Sequence, residues 1–455
     1  MRIHSSLVRG CVLSAVTLAA YLFSQGPARA EITLLETSDG WSFFIDGRVN
    51  SFVSLGYGDA FPAPIGSEHD VLGVGSPFTA GFASREETAD GKYSATRVRS
   101  GFLGTVFAFG MKRQLTQTTT VKSYMSLWGT SQSYARDRTQ DFGDSVTKGF
   151  EVRDGWLAFD GPFGTFVAGR QGGILGGIST EIDFNYGHNF GLGLPCLDIY
   201  YAACGHIGTG ALGPGNAAGF TYTTPSFSGF QLKAGIYDPV RLLGALERVP
   251  LPRPEATLSF ARRFSPDFRI KLAVEGMYQK MALQGTNMGM DKVWGVAGGG
   301  RFEVGPLRLG LSAFHGKGLG LYVALQNSPA TFNEASRHFR TFTGVYAQSA
   351  LVFGREQISF GAGRVQIDLL NGTVDHPEDR QDPGHSIVKS QMGISGAFYH
   401  HVTENLVVGI DYFRFQTNWW GAPMSPTDTN PMPTALFPGE KQVVHFVNVG
   451  TTFYW

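Results

Sequence analysis

The chain alternates apolar and polar residues with a period of two. From Trp41 to Tyr57 the odd positions read Trp41, Phe43, Ile45, Val49, Val53, Leu55 and Tyr57, while the even positions include Ser42, Asp46, Arg48, Asn50 and Ser54. From Phe268 to Tyr278 the apolar set is Phe268, Ile270, Leu272, Val274, Gly276 and Tyr278, interleaved with Arg269, Lys271, Glu275 and Met277. Val388, Met392, Ile394 and Phe398 alternate with Lys389, Gln391 and Ser395, and Val443, Val447, Val449, Phe453 and Trp455 share one parity. Such alternation is the mark of a strand with two unlike faces. Many segments reach about ten residues, enough for a tilted strand to cross a bilayer. Many polar faces carry charge, as a wet lumen allows. Sixteen strands are predicted near 41–58, 91–110, 118–130, 148–160, 164–171, 217–224, 229–238, 254–264, 268–280, 291–304, 306–316, 339–353, 356–369, 386–400, 404–417 and 441–455. Their connections alternate between short turns and long polar or Gly/Pro-rich loops. Outer-membrane barrels have short periplasmic turns and longer outside loops. The fold class is therefore all-β, a transmembrane antiparallel barrel of sixteen strands with both termini at the periplasmic end. An exported soluble β-sandwich is the alternative. Two strands read ambiguously: both parities are apolar in 94–109, and the apolar parity switches near Gly361–Gly363, which suggests a bulge.

Composition fits this reading. Charged residues are 16% of 455, against about 25% in a soluble domain. Yet hydrophobic residues reach only 42% and the mean hydropathy is −0.05. A disordered polyelectrolyte and a bundle of membrane helices are both excluded. Arg2 and Arg9 precede an apolar run from Cys11 to Phe23, and Pro27-Ala28-Arg29-Ala30 follows. This predicts a cleaved secretory signal over 1–30 and a mature chain over 31–455. Losing its three arginines moves the net charge from 0 to −3. No basic excess points to nucleic acid. Cys196 and Cys204 remain, and in an exported chain a close pair favours a disulfide. His206 lies nearby, which keeps a zinc site as the alternative, although one more histidine without a second tight pair is a weak metal signal.

Two motifs carry a resemblance. Val152-Arg153-Asp154-Gly155-Trp156-Leu157-Ala158-Phe159, followed by Gly161-Pro162-Phe163-Gly164-Thr165-Phe166-Val167-Ala168-Gly169-Arg170-Gln171, resembles the strand–turn–strand before the third loop of the general porins of Gram-negative bacteria. Gly219-Phe220-Thr221-Tyr222-Thr223-Thr224-Pro225-Ser226-Phe227-Ser228-Gly229-Phe230 resembles the hairpin after that loop. Phe453 and Trp455 are similar to the aromatic C-terminal signal read by the barrel-assembly machinery. The resemblance implies a homotrimer of water-filled barrels in the outer-membrane lipid, passing small hydrophilic solutes by passive diffusion. It also implies that the third loop, 172–216, folds inward and narrows the pore. This loop lacks the Pro-Glu-Phe-Gly-Gly pattern of enteric porins.

A narrow passage screens solutes by charge across a low-dielectric opening. Strand parity and the family pattern make Arg48, Arg97, Arg99, Lys122, Arg153 and Arg170 candidates for a basic wall. Glu181 and Asp183 are the candidate loop acids. Trp41, Tyr57, Trp156, Trp294, Trp419, Trp420, Tyr454 and Trp455 are candidates for the aromatic girdles. No P-loop, zinc-protease motif or nucleophile elbow is present, so neither catalysis nor a cofactor is expected. The rival functions are a channel selective for sugar, dicarboxylate or phosphate, and a loop-displaying adhesin.

Overall fold

The computed structural model describes residues 31–59, 92–129, 151–185, 205–239, 247–249, 251–283, 291–323, 332–333, 338–370, 388–419 and 441–455. The segment 1–30, Trp420, Cys196 and Cys204 lie outside the described residues.

The strands are β1 (Ile32–Glu36), β2 (Trp41–Asp59), β3 (Lys92–Arg99), β4 (Thr105–Gln114), β5 (Thr120–Gly129), β6 (Glu151–Gly161), β7 (Gly164–Gly172), β8 (Asn216–Thr223), β9 (Phe230–Tyr237) and a two-residue β10 (Glu247–Arg248). They continue with β11 (Arg253–Ser265), β12 (Phe268–Leu283), β13 (Asp291–Val304), β14 (Leu307–Lys317), the short pair β15 (Phe332–Asn333) and β16 (His338–Phe339), then β17 (Thr341–Phe353), β18 (Glu356–Asp368), β19 (Val388–His401), β20 (Leu406–Trp419) and β21 (Lys441–Tyr454). Successive long strands pair antiparallel, and β21 pairs back on β2 from Arg48↔Tyr454 to Gly58↔Val444. The sheet is closed and has no free edge, as a bilayer requires.

β3 and β4 are two halves of one stave, since both pair with β2, at Phe52–Asp59 and at Trp41–Arg48. That gives sixteen staves, each where the alternation predicted one. Residues 100–104 leave the sheet inward between the halves. The Asn50 side chain donates to the Leu103 carbonyl at 2.8 Å and accepts from the Gly101 N–H at 2.9 Å, while Phe102 and Leu103 are buried. This excursion explains the mixed parity of 94–109.

Apolar side chains such as Val49, Val53, Leu55, Phe107 and Phe109 are exposed on the outer face, the arrangement a lipid environment rewards. The short connections 162–163, 266–267, 305–306 and 354–355 lie at the end of the barrel that holds both termini. β1 pairs with the first half of β2, continuing the seam where β21 ends. Trp455 and Gly47 exchange two backbone hydrogen bonds, at 3.1 and 3.2 Å. A Cβ on Gly47 would lie 2.4 Å from the Val106 carbonyl and 2.5 Å from the Trp455 ring, so glycine is required at the seam.

Two local expectations need correction. No bulge occurs at Gly361–Gly363, because β18 keeps register with both neighbours there. The inner face itself turns apolar at Val365 and Ile367, which are buried. A bulge does occur in β6, between the Ser126↔Asp154 and Leu127↔Val152 pairs. It absorbs Arg153 and reverses the parity beyond. Trp156 therefore faces the lumen and stacks on Tyr124 at 5.3 Å, rather than joining a girdle. Tyr454 also takes the inner face and is buried.

Candidate functional site

The segment after β7 turns into the barrel and forms a short helix, α1 (Gly177–Ile182). Gly176 makes the turn with φ 96°, a left-handed conformation suited to glycine. The first N–H groups of a helix have no partner inside it. Strand carboxylates supply a partner at the helix start and for the turn that leads into it. Glu255 on β11 accepts from the Ile174 and Leu175 N–H groups, the second at 3.0 Å. Glu275 on β12 accepts from Gly176 and Ile178, both at 2.8 Å. Both glutamates are buried. Arg253 pairs with Glu255 at 2.8 Å, and the Tyr322 hydroxyl donates to the same carboxylate at 3.2 Å.

The far end of the segment rests on the opposite wall. Phe184 N–H donates to the Gln348 side chain on β17, and Gln357 on β18 donates to the Phe184 carbonyl at 3.1 Å. Ser359 bonds Asn185. The returning limb, 205–212, lies against the backbone of β17 and β18. A Cβ on Gly210 would sit 2.1 Å from the Val345 carbonyl, and one on Gly363 would sit 2.2 Å from the Thr209 carbonyl. His206 is buried, with Nδ1 2.9 Å from Asp183 and 3.0 Å from the Tyr346 hydroxyl, and Nε2 2.7 Å from Ser395. Both ring nitrogens are engaged by protein groups, which leaves none for the zinc alternative.

The candidate charges separate into distinct settings. Glu181 contacts the Lys271 ammonium on β12, and its carbonyl accepts from Arg301 of β13 at 3.1 Å. Arg301 also pairs with Glu303 at 2.6 Å and lies 5.1 Å from the Phe184 ring. Asp183 is instead buried against His206, inside the packed loop rather than on a passage. Arg48 and Arg153 share Trp128, their guanidinium groups 4.7 and 4.2 Å from its ring. Arg48 also donates to the Gly104 carbonyl, and Arg153 to Asn216 at 3.2 Å. Arg99 is buried and donates to Asn448 at 3.2 Å, which in turn donates to Asp411 at 2.7 Å. Arg97 pairs with Ser54 in the β2–β3 register, and its side chain lies outside the described residues.

Lys122 is buried near the short-turn end, 4.6 Å from the Phe44 ring and in contact with Glu31, which Lys112 also reaches at 2.9 Å. Burial pushes the Glu31 carboxyl up, but the Lys122 and Lys112 ammonium groups outweigh it and hold the group below its ordinary value. Arg170 corrects another expectation. It lies opposite Gly155 and Ala218 and shares the outward parity of Phe166 and Ala168, so it is not part of the inner wall. At the seam, Phe453 is exposed on the outer face with the Trp455 ring 6.4 Å away.

Sequence reasoning missed Glu255, Glu275, Lys233 and Arg301. Their inward parity on β9 and β11–β13 was a legible signal, because each sits on the polar face of an alternating strand.

The Gram-negative porin family matches residues 15–245, half of the chain. No curated protein matches. Among solved structures, the outer-membrane channel DcaP of Acinetobacter baumannii aligns at a TM-score of 0.62 with 13% identity, covering 93% of this chain and all of the other. The anion-selective porin from Comamonas acidovorans gives 0.55 with 13% identity, over 91% of this chain and all of its own. OmpF of Salmonella typhi, solved with daunomycin, gives 0.52 with 11% identity, over 94% and 100%. At such identities the likeness is one of fold. The family match, the closed sixteen-stave barrel and the outward apolar band together place the chain in the Gram-negative porin family, as an outer-membrane channel for the passive diffusion of small hydrophilic solutes.

Proposed function

We propose that this channel has a mild preference for anions, set where the inserted loop meets the wall of β9 and β12–β14. The observation that carries this reading is the neighbourhood of Glu181. One loop carboxylate stands among Lys271, Arg301 and Lys233, and Arg269 and Arg308 occupy inward positions of the same wall. Glu303 offsets one more cation. Glu255 and Glu275 are held by backbone N–H groups and are buried from solute. Cations thus outnumber available carboxylates on this wall, and a low-dielectric rim makes their field long-ranged. Arg48 and Arg153 add positive charge on the facing sector.

A stacking track for sugars is less well supported. Phe44, Tyr124 and Trp156 do form a row on the inner face, with centroids 6.5 and 5.3 Å apart. Phe44 is only 1% exposed, with Lys112 and Lys122 over its ring, which leaves Tyr124 and Trp156 as the partly exposed members, too few for a continuous track.

The test is a reversal potential in a planar bilayer under a potassium chloride gradient. K271Q/R301Q is expected to shift it towards cations, and an unchanged potential overturns the reading. The family also supports a homotrimer, for which conductance steps in threes are expected in the same recording.

A further inference from the structure

Arg253 opens β11 at the long-loop end of the barrel, and its side chain is fully buried. A guanidinium carries a planar fork of N–H donors and no acceptor. Here only Nε meets a charge, 2.8 Å from Glu255. Nη1 and Nη2 are buried and donate to no group among the described residues. Other lumen arginines differ. Arg48, Arg99 and Arg153 each donate to a neutral oxygen, on Gly104, Asn448 and Asn216. Buried donors without a partner are rare, because each forfeits its hydrogen bonds to water.

The surroundings define what fits. The Tyr237 ring lies 5.5 Å from the guanidinium carbon and the Tyr322 ring 6.0 Å, within reach of a cation–π contact. Their hydroxyls donate elsewhere, to the Gly172 carbonyl and to Glu255, at 3.2 Å each. Glu255 is shared as well, because it also accepts from the Ile174 and Leu175 N–H groups. Its charge is thus spread over three protein donors besides Arg253. Water on the fork would supply hydrogen bonds but no charge. A small anion supplies both, and charge-assisted hydrogen bonds are the stronger kind.

We propose that Nη1 and Nη2 of Arg253 bind a small monovalent inorganic anion, resident behind the root of the inserted loop and not transported. A second charge on the ion would be repelled by the neighbouring Glu255 carboxylate. The ion shares the neutralisation of Arg253, which leaves Glu255 to the loop N–H groups and to Tyr322. Tyr322 belongs to the short 3-10 helix Leu319–Tyr322, and its carbonyl accepts from the Gly213 N–H of the returning limb at 2.9 Å. Both limbs of the loop therefore meet at the Arg253–Glu255–Tyr322 cluster, and the anion of the medium sets how firmly they are held. Arg253 has no exposure to the passage, so this site stands apart from the selectivity proposed for the Lys271 wall.

The test uses the folded full-length channel as wild type and as R253K, which keeps the charge but loses the fork. Crystals of both are soaked in potassium bromide and measured at the bromine absorption edge. The midpoint of the heat-induced gel shift is followed in potassium chloride, bromide and gluconate at one ionic strength. A conducting channel verifies that R253K is folded. In wild type a bromide peak is expected against Nη1 and Nη2. The midpoint should stand a few degrees higher in chloride or bromide than in gluconate, which is too large for an enclosed site, and should rise with the logarithm of chloride concentration. R253K should lose both the peak and the difference between salts. No peak at Arg253, or a salt difference equally large in R253K, overturns the proposal. A peak with no salt difference marks an adventitious ion only and overturns it too. A peak confined to Lys271 and Arg301 places the halide in the passage, which supports the selectivity reading and overturns the buried site. Should R253K fail to fold, the wild-type peak and the chloride dependence of its midpoint decide alone.

Discussion

The two walls that hold the inserted loop do so by different physics. On β11 and β12 the anchors are two buried carboxylates accepting backbone N–H groups, Glu255 in the turn before α1 and Glu275 at its start. On β17–β19 the anchors are neutral amides and hydroxyls together with glycines that let backbone lie on backbone. The first wall fixes the loop by directional, charge-assisted hydrogen bonds, which are roughly twice as strong as neutral ones. The second fixes it by shape, and no side chain can be added without moving something. A loop fastened electrostatically at one end and sterically at the other should fail differently when each end is cut.

The largest loss is expected at the charged wall. Glu255→Ala removes the acceptor for two loop N–H groups and leaves buried Arg253 without its partner. Breaking a buried ion pair in this way typically costs about 3–5 kcal/mol. The channel should become noisy as α1 leaves the wall, and the heat-induced gel shift of the folded barrel should fall to lower temperature. A quiet channel with unchanged heat stability would mean that the carboxylate merely fills space. Gly363→Val tests the other wall. Its side chain would collide with the Thr209 carbonyl, and overpacking of this kind costs about 1–3 kcal/mol. Here the 205–212 limb should be displaced while α1 stays bound. Limited proteolysis should then cut the returning limb before the α1 segment, and the reverse order would erase the distinction between the walls.

The sequence exposed the barrel more fully than the loop. A lipid-facing strand must alternate, so sixteen staves could be placed from period two together with the succession of short and long connections, even where 94–109 read ambiguously. Glu275 was visible too, as an acid on the polar parity of a strand whose inward neighbours, Ala273 and Met277, are small or apolar. What alternation cannot report is a change of phase or a partner distant in sequence. The bulge in β6 moved Trp156 to the lumen, and Arg170 kept the outward parity that its neighbours Phe166 and Ala168 had already signalled. Asp183 looked like a pore acid because its partner His206 comes 23 positions later, and their meeting depends on how the loop folds back. The stretch at Gly361–Gly363 resembled a bulge because the apolar parity switches there, and an inner face that turns apolar, as at Val365 and Ile367, looks identical in a sequence to a true change of phase.

A third carboxylate gives the smallest effect and sharpens the comparison. Glu31 joins Lys112 and Lys122 at the short-turn end, with side chains 35% and 8% exposed, so water screens this cluster more than it screens Glu255. Partly exposed ion pairs contribute only about 0–1 kcal/mol. Glu31→Gln should therefore lower stability slightly, and only where the carboxylate is ionised. Its folded value lies below the ordinary 4.5, so its contribution is fully present above that pH and is lost as the pH falls through the lowered folded value. Denaturation midpoints of wild type and Glu31→Gln should differ at pH 7 and converge in acid. A gap that persists at pH 2 would show that the packing of Glu31 over Lys122 and Phe44, rather than its charge, fastens the first strand to the barrel.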